Sequence, residues 1–180
     1  MKKTILFISL FSAIFVAITF ASVSYAQPYG KGVYGANVPY GNQTSLSIST
    51  DGNVNIPVTP TTGGVSASGS SQVTVSSTDV MGYKLYIRAL NSTDMDNLGT
   101  PLPTSANASP APLAVNTWGY NIDASNNFTG ISLADVLIHS KTGPISSEST
   151  NVTFGIKIDL AKPAGNFVAS VVYTAVPQTD

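Results

Sequence analysis

Residues 71–90, SQVTVSSTDVMGYKLYIRAL, decide the fold. Ser71–Ser77 alternates polar and apolar residues, with Val73 and Val75 on one side. Tyr83–Leu90 repeats the alternation with larger side chains: Tyr83, Leu85, Ile87 and Ala89 on one face, Lys84, Tyr86 and Arg88 on the other. A period of two buries one face of a β-strand, whereas a helix would need apolar residues three and four apart. The stretch therefore predicts two strands separated by a break at Gly82.

Working outward, the same period recurs. Ser45–Ser49 (SLSIS) reads as a strand, Asp51-Gly52 as a turn, and Val54–Val58 (VNIPV) as a further strand before Gly63-Gly64. Downstream, Trp118–Asp123 (WGYNID), Val136–Lys141 (VLIHSK), Asn151–Leu160 (NVTFGIKIDL) and Phe167–Val176 (FVASVVYTAV) follow. In the last two, Val152, Phe154, Ile156 and Ile158 share one face, as do Phe167, Ala169, Val171, Tyr173 and Ala175. Pro163-Ala164-Gly165 between them predicts an antiparallel hairpin. Residues 91–116 carry Pro101, Pro103, Pro110 and Pro112 and read as a loop crossing between sheets, because proline offers no ladder donor. No segment keeps a helical period. The expectation is an all-β domain over 44–180: an antiparallel β-sandwich of about seven to nine strands, immunoglobulin-like or jelly-roll in topology, with Trp118, the sole tryptophan, anchoring the core.

The first 26 residues have another character. Lys2 and Lys3 precede an apolar run from Ile5 to Phe20, and small residues at Ser24 and Ala26 complete a cleavage-like triplet. That is the pattern of a signal peptide cut after Ala26, the alternative being an uncleaved anchor. A spanning helix takes about 20 apolar residues, and this run falls slightly short. The product expected is a secreted or cell-surface chain without membrane insertion after cleavage. Residues 27–43 (QPYGKGVYGANVPYGNQ) repeat Tyr-Gly at Tyr29, Tyr34 and Tyr40 and read as a flexible, exposed arm, either a spacer or a segment that adds a strand to a neighbour.

Composition narrows the chemistry. The chain has no cysteine, which removes disulfides, thiolate metal sites and thiol catalysis together. Its formal charge of −1 becomes more acidic once Lys2 and Lys3 leave, so nothing attracts nucleic acid or an anionic membrane. His139 is the only histidine and would have to serve any Ser-His-Asp triad, yet it lies mid-strand and no G-x-S-x-G elbow occurs. Glu148 is the only glutamate, which makes a secreted hydrolase working through paired carboxylates a remote alternative.

Asp94 and Asp96, with Gly99 at position six, begin like a calcium loop, although position twelve is Ser105 rather than glutamate. They are the metal candidates, for Ca²⁺ completed by carbonyls and waters. Trp118, Tyr120 and Tyr86 are the candidate ligand-binding residues, as rings that stack on sugars. Asn42, Asn91, Asn107, Asn127 and Asn151 head glycosylation triplets.

Three stretches carry a resemblance: residues 58–85 (VTPTTGGVSASGSSQVTVSSTDVMGYKL), residues 116–120 (NTWGY), and residues 152–176 with FGIKID, PAG and VVYTAV. Together they resemble secreted β-sandwich domains on bacterial surfaces, notably of candidate-phylum bacteria. The closing segment is similar to the C-terminal part of WxL-type cell-wall-binding domains. The sequence departs from that pattern at Tyr120, where leucine is expected, and at Tyr173-Thr174-Ala175, where a second tryptophan motif is expected. The resemblance implies surface display. The function expected is thus a non-catalytic surface protein of envelope or pilus-like assembly or adhesion. A carbohydrate- or cell-wall-binding module is the alternative. Partners would be an envelope component, a glycan or copies of itself, met by loops 91–116 and 124–135 and by the arm.

Overall fold

A computed structural model describes residues 45–79 and 81–178, so the expected signal peptide and the 27–43 arm lie outside the described residues. All nine strands fall in one compact unit, Gly41–Asp180. They are β1 (Leu46–Thr50), β2 (Val65–Ser77), β3 (Tyr83–Ala89), β4 (Met95–Asn97), β5 (Thr100–Leu102), β6 (Thr117–Asn121), β7 (Val136–Lys141), β8 (Ile145–Ile158) and β9 (Val171–Pro177). Among the described residues there is no helix.

One sheet has the order β1-β2-β8-β6 and the other β7-β3-β9, every pairing antiparallel, while β4 and β5 form a separate hairpin. The core is shared between the two sheets. Val73, Val75, Val152, Phe154, Ile156, Ile158 and Trp118 come from the first, and Tyr83, Leu85, Ile87, Ala89 and Ile138 from the second. This is the expected β-sandwich, and the alternation of 71–90 is the reason. Val73, Val75, Tyr83, Leu85, Ile87 and Ala89 are all fully buried. The opposite face of β2 is a hydroxyl ladder against β8, with Ser70 bonded to Thr153 and Thr74 to Ser149, each at 3.0 Å.

Two local expectations fail, each for a physical reason, and a third holds in part. The Val54–Val58 strand makes no ladder, because Pro57 supplies no donor. Its alternation still operates: Val54, Ile56 and Val58 pack against the core, and a Cβ on Gly69 would sit 2.8 Å from Val54 and 3.2 Å from Ile56. The two closing strands do not form a hairpin. β8 has both edges occupied, by β2 and β6, so β9 crosses to the other sheet and pairs with β3. The Pro163-Ala164-Gly165 turn lies inside that crossing. The 91–116 segment does cross between the sheets, from β3 to β6, but it holds the β4–β5 hairpin and buries Leu102, Ser105 and Leu113.

Candidate functional site

β6 is an edge strand, and the two long loops close it. Trp118 donates its N–H to the Pro103 carbonyl (3.2 Å) and accepts from Ser105 N–H (2.7 Å). Tyr120 and Thr129 exchange both backbone bonds, at 2.8 and 2.9 Å. Every outward-pointing backbone group of Trp118 and Tyr120 is therefore occupied, which removes the template that a bare edge offers to another chain. The lid over this edge is Phe128. A Cβ on Gly155 would run into its ring, a Cβ on Gly119 would lie 2.5 Å from the Thr129 carbonyl, and a Cβ on Gly130 would run into the Ser105 carbonyl. Those glycines make room for the two loops to lie directly on the sheet. Asn107 ties the loops together: its Nδ2 donates to the carbonyls of Ala111 (3.0 Å), Pro112 (3.3 Å) and Phe128 (3.0 Å).

This arrangement changes the meaning of two candidate ligand residues. Trp118 is 1% exposed, its indole N–H donates to the Thr93 carbonyl at 3.0 Å, and its ring lies against Phe154. Tyr120 is 5% exposed. Neither offers a face on which a sugar could stack, so both are core residues rather than platforms. Tyr86 is half-buried on the outer face of the second sheet, level with Leu137 of β7 and Thr174 of β9. A groove of about 440 Å³ with a mixed polar and apolar lining, which sequence reasoning missed, lies between Ser66, Ser68 and Lys157 on one side and Pro112, Asn126 and Asn127 on the other. It exists only because loops 111–113 and 126–128 come together over β2 and β8.

Asp94 and Asp96 are not brought together with a third ligand: among the described residues no three His, Cys, Asp or Glu side chains gather around a common point. Both oxygens of Asp96 accept the Gly99 N–H at 3.1 Å, and Asp94 Oδ1 accepts from the Thr93 hydroxyl at 3.4 Å. Asp96 thus serves the turn of the β4–β5 hairpin. That turn places Leu98 (φ 50°) and Gly99 (φ 88°) in the left-handed region, as a two-residue hairpin turn requires. Glycine adopts it freely; leucine is strained there. Leu98 is nevertheless fully exposed at the tip, and Val168, paired with Asp96, is 64% exposed beside it.

At the other end of the sandwich, Glu148 Oε1 meets His139 Nε2 at 3.1 Å and Lys141 Nζ at 3.4 Å. The His139 ring is tilted against Tyr83, whose hydroxyl is buried without a partner, as is Glu148 Oε2. Burial first and the Glu148 carboxylate second push the Tyr83 phenol up to about 12. His139 is joined to a carboxylate, but the bond is a side-chain hydrogen bond between strands of opposite sheets.

The second open question of any sandwich is its other flank, where β1 and β9 approach one another. Leu90 N–H donates to Ser170 and Gln178 N–H to Gly82, so even-numbered residues of β9 bond β3. By alternation the backbone groups of Val171, Tyr173 and Ala175 point away from β3. No described residue takes them. No known protein family, curated protein or solved structure matches this chain.

Proposed function

We propose that this chain is an exported, non-catalytic surface protein that acts by adhesion or assembly at the cell envelope. The observation that carries the reading is Leu98, a leucine held at φ 50° and fully exposed at a hairpin tip. Strain of this kind, about 1–2 kcal/mol for an L-residue, brings no packing in return among the described residues. A partner that covered the side chain would return apolar burial to the tip. The sandwich serves as a rigid support, and Asp96 fixes the tip through the Gly99 N–H. The export pattern of residues 1–26 supplies the location.

The test begins with the protein recovered from its producing cells. Its first residue should be Gln27, and it should fractionate with the envelope. Purified residues 27–180 should bind isolated envelope material, and Leu98→Asp should weaken that binding several-fold with the fold intact. A protein that stays entirely in the medium and binds no envelope material overturns the reading.

A second reading, binding of a neutral glycan, is favoured by one observation: the groove lined by Ser66, Ser68, Asn126, Asn127 and Lys157. Hydroxyls and amides match a polyhydroxylated ligand. A glycan array without a single hit would remove it.

A further inference from the structure

We infer that the edge of β9 that no described residue occupies is the docking site for residues 34–40 of a second copy of this chain, which adds them to the β7-β3-β9 sheet as a fourth strand. The inference rests on the assembly reading above and deepens it by naming both surfaces.

The argument starts from an imbalance. The β6 edge is bonded along its length by residues 103–105 and 128–130. The β9 edge, VVYTAVP, is the more apolar and the longer of the two, yet Val171, Tyr173 and Ala175 present their backbone donors and acceptors to no described partner. No lysine, glutamate or bulge blunts it, and its only proline is its last residue, Pro177. Such an edge is a pairing template. The core is also thinner here. The inward residues of β3 are fully buried, whereas every inward residue of β9 is only half-buried, and Ile48 of neighbouring β1 is 40% exposed. A strand laid along β9 would cover that side. The Tyr173 hydroxyl, enclosed without a partner, lies on the same strand.

The occupant follows from the sequence that leads into β1. Between Tyr34 and Tyr40 the chain reads YGANVPY, in which Tyr34, Ala36, Val38 and Tyr40 fall on one side at strand spacing. The run holds seven residues, the number in β9, and no charge. Its single proline, Pro39, is tolerated in a terminal strand of a sheet. Residues 27–44 reach roughly 60 Å when extended, against roughly 24 Å for the β9 edge, so the segment can leave its own sandwich and lie along another. Each copy then has one free edge to offer and one strand to give. Such a head-to-tail contact builds rings or filaments, according to the rotation between successive copies.

The experiment compares residues 27–180, residues 44–180, Ala175→Pro and Val38→Lys by sedimentation, with circular dichroism as the check on folding. Ala175→Pro removes a donor that faces away from β3 and leaves the β3 ladder whole. Val38→Lys alters only the incoming segment, so it keeps the test valid if Ala175→Pro does not fold. The expected result is concentration-dependent association of 27–180. That association should be lost in 44–180 and weakened at least about tenfold in both point variants, the effect of forfeiting a buried apolar side chain or a ladder bond. If the point variants associate as strongly as the parent, β9 is not the site, although the assembly reading stands. If 27–180 is monomeric while its 171–177 amide resonances differ from those of 44–180, the segment pairs with its own β9 and the second-copy proposal is overturned. If 27–180 is monomeric and those resonances are identical, the proposal falls and assembly falls with it.

Discussion

The two flanks of the sandwich treat the same problem in opposite ways. At β6, loops 103–105 and 128–130 take up the outward backbone groups, and Asn107 and Phe128 lock them down. At β9 the outward groups of Val171, Tyr173 and Ala175 meet no described residue. The difference shows that long loops here serve to finish a sheet.

Substitutions at the capped flank should be the costly ones. Trp118→Ala removes a buried ring and the indole bond to Thr93, and should cost about 3–5 kcal/mol in denaturant unfolding. A cost below about 1 kcal/mol would mean that the cap does not hold the core. Asn107→Ala removes three side-chain bonds that tie the two loops, although the Ala111 and Phe128 carbonyls keep their backbone donors, and should cost about 1–3 kcal/mol. Hydrogen exchange should then rise first at Thr129, Tyr120 and Ser105, and a uniform rise would erase the distinction between the flanks.

Alkaline pH probes both sides at once. Tyr120 beneath the cap and Tyr173 on the open edge are held above the ordinary phenol value of 10.0 by burial, and Tyr83 is raised to about 12. A raised folded value means that the folded state keeps its protons where the unfolded chain has released them. The stabilisation is complete below pH 10 and is lost as the pH rises through about 12. Tyrosinate absorbance and circular dichroism should therefore change together in that range. Full tyrosinate formation near pH 10, with the fold intact, would contradict the burial of these rings.

The smallest effect belongs to the open flank. Val176 is 42% exposed on the outer face of β9, and Val176→Lys should shift stability by no more than about 0.5 kcal/mol. A larger loss would show that this face is already covered.

The strands were largely legible because their faces are set by neighbours in the chain. Tyr83, Leu85 and Ile87 alternate with Lys84, Tyr86 and Arg88, and a period of two needs no knowledge of distant residues. Pairing was not legible in the same way. The expected hairpin of the last two strands obeyed the local rule, but the rule ignores that β2 and β6 already occupy both sides of β8. Val54–Val58 showed the right alternation and lacked only the donor that Pro57 removes. For the candidate site the limit was sharper still. The space over Gly119, Gly130 and Gly155 is created by Phe128, Thr129 and Ser105, residues distant from them in sequence or known only through the loop contacts. Trp118 was correctly placed as a core anchor, and that same placement withdrew it as a sugar platform.

The central ladder has a consequence for the order of events during synthesis. β2 pairs with β8, and β3 with β7 and β9, so apart from the β1–β2 ladder the first half of the core finds its ladder partners in the last third of the chain. Until β8 and β9 have been made, Val73, Leu85 and Ile87 have no completed sheet to join. Contacts of such long sequence separation form slowly, and the nascent chain stays open while it is made. An extended chain can be threaded through a narrow translocation channel, whereas a closed sandwich cannot. The topology thus delays its own completion until nearly all of the polypeptide is available.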